Sequence, residues 1–181
     1  MKLNYQWPLP SQPRPIAIIG SGGIVKDAHL PAYQKAEFKV LGVYDINPEQ
    51  SAKIANSWNL KAFGSLDSLI SSAQSQNAVF DLALPPSAVS NVLEQLPEHA
   101  TVLIQKPMGS DLEEAKLIKA ICERKKLTAA VNFQLRFSPM MLALKDAMSK
   151  GHLERILDLE VHLNLEASWA VSYTHLRAHE T

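Results

Sequence analysis

The chain is short of the features that mark specialised proteins. It has one cysteine, Cys122, which falls in a helical pattern and reads as a buried thiol in a reducing compartment rather than a nucleophile. It lacks an excess of either charge: Lys plus Arg and Asp plus Glu are 18 each, a formal net charge of +0. Neither nucleic acid nor an anionic membrane is therefore expected as a partner. No apolar run approaches the ~20 residues that cross a bilayer. The N-terminus carries a lysine but no apolar core, so no secretory signal is expected and the expected location is cytoplasmic. What is present, 46% hydrophobic and 20% charged residues, suits an ordinary globular protein, and 181 residues give room for one full domain and part of another.

The most informative stretch runs from Ile16 to Asp45. Ile16-Ala17-Ile18-Ile19 is an apolar, β-branched run with the character of a buried strand. Gly20-Ser21-Gly22-Gly23 follows, then Ile24-Val25-Lys26-Asp27-Ala28, which can start a helix. A second apolar run, Phe38 to Tyr44, ends on Asp45. Strand, glycine turn, helix, strand and acid make the first unit of a dinucleotide-binding fold. Gly20 allows a tight exit from the strand, and Gly22 lets a pyrophosphate approach bare backbone. The helix N-terminus offers free N–H groups and partial positive charge. A carboxylate at Asp45 can accept hydrogen bonds from a ribose diol and would repel a 2′-phosphate. With no Arg close behind it, NAD is favoured over NADP. The third glycine of the fingerprint is missing, Val25 standing there, and a bare Gly-x-Gly also fits an ordinary tight turn.

The rest of the chain alternates. Residues 1–15, with Pro8, Pro10, Pro13 and Pro15, read as an extended arm that either wraps a neighbouring subunit or lies loose. Asn47-Pro48-Glu49 starts a helix to about Trp58. A short strand is expected near Lys61 to Phe63 and a helix capped by Ser65. Further strands are expected at Ala78–Ala83, Thr101–Gln105 and Thr128–Phe133. Between them fall helices from about Ser87 to Leu96, and from a Ser110/Glu113 capping box to about Arg124. This steady β-α alternation predicts a doubly wound parallel sheet, an α/β fold, over 16–137. A helix from Pro139 to Lys150, closed by Gly151, then begins a second, α+β domain over 138–170. Its sign is the period-two row Leu157, Leu159, Val161, Leu163 and Leu165, predicted to be a strand of an antiparallel sheet with His162 on its wet face.

Val171 to Thr181 offers His175 and His179 at helical metal-ligand spacing, but the peptide reads codon by codon as one frame of a transposon-end sequencing adaptor. Residues 171–181 are therefore expected to be non-native, interrupting the gene near Ala170. Amplification across the locus without that adaptor tests this; recovering the same peptide would refute it.

A second stretch, Leu103-Ile104-Gln105-Lys106-Pro107-Met108-Gly109, lies where a strand ends, the edge at which open α/β sheets bind ligands. A lysine there would face a crevice, and partial burial would ready its amine for acid–base work; the alternative is a lysine paired with a carboxylate. Together with Gly20-Ser21-Gly22-Gly23-Ile24, His29-Leu30-Pro31-Ala32, Asp45-Ile46-Asn47-Pro48-Glu49, Leu84-Pro85-Pro86-Ser87 and Arg136-Phe137-Ser138-Pro139, in that order, the chain resembles the glucose–fructose oxidoreductase / inositol dehydrogenase / rhizopine-catabolism (Gfo/Idh/MocA) family from about Ile16 to Leu165.

The resemblance implies an N-terminal Rossmann domain, a C-terminal domain with a large open sheet, and a sugar or inositol-type polyol as substrate. It also implies a homo-oligomer at full length. By position, Gly20, Gly22, Gly23 and Ile24 would cradle the pyrophosphate, and Asp45 would hold the adenosine ribose. Leu84, Pro85 and Pro86 would line the cofactor cleft, and Gln105, Lys106 and Pro107 would sit by the nicotinamide, with a cis bond before Pro107. Lys106 would be the catalytic residue, bonded to the reacting hydroxyl; no metal is implied.

Two departures stand out. Gln105 replaces the family's Glu, and Val89 replaces a His that follows the paired prolines. The family's remaining acid–base residues belong to the second domain, so this chain is expected to be inactive. The alternatives are a non-catalytic NAD-binding sensor or partner protein of the same fold and, with no role for Lys106-Pro107, a methyltransferase.

Overall fold

A computed structural model describes residues 2–153 and 155–162. The chain divides into two compact units, Leu9–Phe133 and a second made of Met1–Pro8 with Gln134–Thr181.

The larger unit is a five-stranded sheet: β1 (Ile16–Ile19), β2 (Val40–Tyr44), β3 (Val79–Leu82), β4 (Thr101–Gln105) and β5 (Thr128–Asn132). Every pairing is parallel and the spatial order is β2-β1-β3-β4-β5. Parallel strands need crossovers, and helices supply them on both faces. A π-turn (Val25–His29) running into α1 (Leu30–Lys35), with α2 (Pro48–Trp58), packs against Ile16, Ile18 and Val43. On the other face α3 (Leu66–Ser75), α4 (Pro86–Gln95) and α5 (Leu112–Arg124) cover Ala17, Ile19, Phe80, Leu82, Val102 and Ile104. Phe80, Leu82, Leu69 and Leu93 are fully buried there. This is the doubly wound, Rossmann-type sheet that the alternation implied.

Local chemistry sets the boundaries. Asn47 caps α2 by accepting from the Glu49 and Gln50 amides, with Pro48 at the first helical position. Ser65 and Ser68 form a reciprocal capping box on α3. Arg14 ties the entry of β1 to the loop before β3: its guanidinium donates to Asn77 O at 2.6 Å and to Thr101 Oγ1 at 2.8 Å.

Three expectations are corrected. The cap of α5 is Asp111, whose carboxylate accepts from Glu114 N at 2.8 Å, while Glu114 reaches back to Ser110 N. The Ser110/Glu113 box is thus shifted by one residue, because a charged acceptor outcompetes the neighbouring hydroxyl at a helix N-terminus. The strand expected near Lys61 is a single bridge, Val43 to Ala62. The predicted strand over Leu157–Leu165 is absent from its described part, residues 157–162, because a strand needs a paired neighbour. Leu157 is 82% exposed, and His162 pairs with Glu160 at 2.9 Å in solvent. Leu163, Leu165 and the whole 171–181 tail lie outside the described residues.

In the smaller unit a 3-10 turn (Gln134–Phe137) leads into α6 (Pro139–Ser149), capped by Ser138. Residues 2–7, the start of the N-terminal arm, pack within this unit. Asn4 N donates to Asp146 Oδ2 at 2.8 Å, and Lys150 Nζ donates to that oxygen at 2.6 Å. Trp7 meets Phe137 edge-on at 5.2 Å between ring centroids.

Candidate functional site

Because all five strands are parallel, their carboxyl ends share one edge, and chain order reverses direction between β1 and β3. The glycine turn leaves β1 at that switch point. Gly20 adopts φ +99°, and a Cβ built on it would stand 2.3 Å from Ala83 O, at the end of β3. Only glycine lets the two strand ends lie this close. Gly22 differs: it is exposed, and its Cβ position has nothing within 4 Å. Gly22 and Gly23 thus present bare backbone to the edge, with Gly23 opening the helical run over 23–35 and Ile24 following it. Gly22 O accepts from Val25 N at 3.1 Å and from Lys26 N at 3.3 Å, so loop and helix are one hydrogen-bonded piece.

Asp45 directly follows β2 on the same edge. Its Oδ2 accepts from Ser21 N at 2.7 Å and Ser21 Oγ at 2.8 Å, and its Oδ1 accepts from Asn47 N at 2.9 Å. Gln50 Nε2 closes the arrangement on Ser21 O at 2.9 Å. The carboxylate is therefore oriented before any ligand arrives. A carboxylate offers about four lone-pair sites and three are used here, leaving capacity on Oδ1 and, if the serine hydroxyl rotates, on Oδ2. An open cradle of amides next to an oriented carboxylate fits a nucleotide with a diphosphate and a free ribose diol.

Leu84, Pro85 and Pro86 follow β3 at this edge, with Pro86 opening α4. Val89, in place of the expected His, is buried in the core. Gln105 ends β4, is 8% exposed, and accepts from Asn132 Nδ2 at 3.1 Å across the β4–β5 register. The Lys106–Pro107 bond is cis. Lys106 itself is exposed, a correction to its expected partial burial: the strand end carries it past the core into solvent. It makes no ion pair or hydrogen bond among the described residues. A hollow of about 340 Å³ lies elsewhere, between α5 and β5, lined by Ile104, Met108, Cys122, Leu127 and Val131. Lys119, Glu123 and Lys126 also line it, but no glycine backbone opens into it as at the β1 edge.

Residues 14–133 match the family model described as an oxidoreductase family with an NAD-binding Rossmann fold, named GFO_IDH_MocA. The chain belongs to the Gfo/Idh/MocA oxidoreductase family. Glucose-6-phosphate 3-dehydrogenase of Bacillus subtilis is 31% identical over 150 residues, which cover 81% of this chain and 41% of that protein. The solved UDP-N-acetylglucosamine 3-dehydrogenase of Acidithiobacillus ferrooxidans superposes with a TM-score of 0.63 at 27% identity, covering 74% of this chain and 42% of its own. A super-repressor mutant of Gal80p from Saccharomyces cerevisiae shares the fold at 22% identity and a TM-score of 0.67, covering 78% of this chain and 40% of its own. The chain spans about two-fifths of the length of the curated relatives it matches.

Within this Gfo/Idh/MocA domain, sequence reasoning missed two participants. Ser21 stands between the glycines and was given no role; a small hydroxyl-bearing residue in a turn next to an acid-tipped strand is the signal that points to it. The second is a buried cluster. Asp81 lies at the centre of β3, 1% exposed, with His29 Nδ1 at 2.7 Å and Tyr33 OH at 2.8 Å from its Oδ2. A lone acid inside the apolar run Ala78–Ala83 was its visible sign.

Proposed function

We propose that this chain is the cofactor-binding part of an NAD-dependent dehydrogenase that oxidises a secondary hydroxyl of a sugar or inositol-type polyol. The observation that carries the reading is Asp45, held by Ser21 beside the open Gly22 backbone. The amides of Gly22, Gly23 and Ile24 would take the diphosphate, and Asp45 the adenosine ribose. Leu84, Pro85 and Pro86 would wall the cleft. The nicotinamide, when bound, supplies the hydride acceptor. Gln105 would hydrogen-bond near it, and Lys106 would hydrogen-bond the reacting hydroxyl and help with proton transfer. NAD is preferred because a carboxylate at Asp45 repels a 2′-phosphate. Lys106 has no ion-pair partner among the described residues, and the acid–base residues that the family resemblance implies belong to the second domain, so the chain as given would bind nucleotide without turning substrate over.

Calorimetry of the purified chain with NAD, NADH and NADP tests this: heat with the first two and far less with the third is expected. No heat with any of them would refute it.

One observation favours a second reading, a nucleotide-binding partner protein without catalysis. The Gln105 amide engages Asn132, where a glutamate would place charge beside Lys106. In a gene that restores the family's full length, turnover of a polyol panel by the native sequence supports the enzyme. Nucleotide binding with turnover only after Gln105→Glu supports the partner protein.

A further inference from the structure

The His29–Asp81–Tyr33 cluster is a costly thing to place in a core. Asp81 is flanked in β3 by the fully buried Phe80 and Leu82, and its side chain and that of His29 are 1% and 6% exposed. Two donors converge on one carboxylate oxygen, Oδ2. Asp81 Oδ1 and His29 Nε2 are buried without a hydrogen-bond partner among the described residues. Buried polar groups left partly unsatisfied cost stability, and apolar residues of similar volume would hold the sheet and helix together at least as well. What apolar contacts do not provide is direction.

Both donors come from the helical segment that follows the glycine turn. His29 is the last residue of the π-turn and Tyr33 lies one turn further on. Tyr33 also sets its ring edge-on to His29 and stacks on Phe38. Burial, then the neighbouring Asp81 charge, pushes the Tyr33 hydroxyl well above its usual range, which keeps it a donor. π-turns are costly insertions that recur at functional sites. This one begins directly after Ile24, and Gly22 O accepts from its first two amides. A rigid path therefore runs from the carboxylate in β3, through the His29 ring and one helical turn, to the amides of Gly22, Gly23 and Ile24.

We propose that His29, with Asp81 and Tyr33, is a positioning residue for the phosphate-binding turn: its bond to β3 fixes the rotation and height at which those amides meet a diphosphate. The proposal rests on the dinucleotide reading above and assigns the buried cluster to it.

The test uses the whole chain and two ligands, ADP-ribose, which carries the diphosphate, and adenosine, which reaches Asp45 but has none. Affinities are measured by ligand-detected NMR and calorimetry. His29→Phe keeps a ring and removes the bond; it should weaken ADP-ribose by about tenfold or more and leave adenosine nearly unchanged. His29→Asn places an amide N–H where Nδ1 stood and should restore ADP-ribose to within about threefold of the native chain. Should His29→Phe not fold, Tyr33→Phe removes one bond by deleting a single oxygen and should give a smaller loss with the same ligand selectivity. Equal losses for both ligands, or no loss for either, would overturn the assignment. If the native chain binds neither ligand, the dinucleotide reading has failed and this proposal falls with it.

Discussion

Gly20 and Gly22 stand two residues apart in one turn, yet a methyl group added to each meets different surroundings. At Gly20 the new Cβ would sit 2.3 Å from Ala83 O and 2.9 Å from Ala83 C, both backbone atoms of the strand end opposite, at φ +99°. The left-handed conformation costs an L-residue roughly 1–2 kcal/mol. Forcing extra volume against fixed backbone costs typically about 1–3 kcal/mol more. Gly20→Ala should therefore lose about 3 kcal/mol, which at about 2–4 °C per kcal/mol lowers Tm by roughly 10 °C. At Gly22 the Cβ meets nothing within 4 Å and φ is not positive, so Gly22→Ala should melt with the native chain. Its methyl group projects where a diphosphate would lie, and NADH affinity should fall about tenfold or more, ~1.4 kcal/mol. Calorimetric melts and NADH titrations of both variants check the pair. The reasoning fails if Gly22→Ala destabilises as much as Gly20→Ala, or if it binds NADH as the native chain does.

Asp45→Asn keeps an acceptor beside Ser21 and removes the charge; the ratio of NADP to NAD affinity should rise about tenfold, and an unchanged ratio would show that the carboxylate does not discriminate. The Lys150 ammonium, then the Asn4 amide, hold the Asp146 carboxyl below its ordinary value. Their contribution to the smaller unit is thus present above about pH 4 and is lost as pH falls through the lower folded value. The Asn4 amide signal, followed by NMR from pH 6 to pH 2, should move only in that acid window. Burial pushes the Cys122 thiol up. At pH 8 the native chain should react with iodoacetamide far more slowly than the urea-unfolded chain, and equal rates would place the thiol in solvent.

Much of the fold could be read from residue order, because its signals are local. Apolar β-branched runs marked β1, β3 and β4, and Asn47 and Ser65 announced helix starts through chemistry that acts within three residues. The α5 cap was misplaced because Ser110–Glu113 and Asp111–Glu114 are overlapping copies of one pattern, and only the competition between hydroxyl and carboxylate decides. The row from Leu157 was legible as a period but not as a strand, since the hydrogen bonds that make a strand belong to a neighbour. At the candidate site the glycines and Asp45 stand in the sequence, whereas the bond from Ser21 to Asp45 depends on how the turn folds. The meeting of His29 with Asp81, 52 positions apart, depends on β3 pairing with β1, which no local pattern encodes.

The strand order also constrains how the chain can assemble on the ribosome. β1 is made before the other four strands of this sheet, yet it ends flanked by β2 on one side and β3 on the other. Its four buried residues cannot be sheathed on both edges until residue 82 has left the exit tunnel. Until then a short greasy ribbon waits, unpaired before β2 is made and half-paired after it, open to any other nascent chain or chaperone that can offer it an edge. The polypeptide must leave β1 open on an edge until β3 is made in order to seat it inside the sheet.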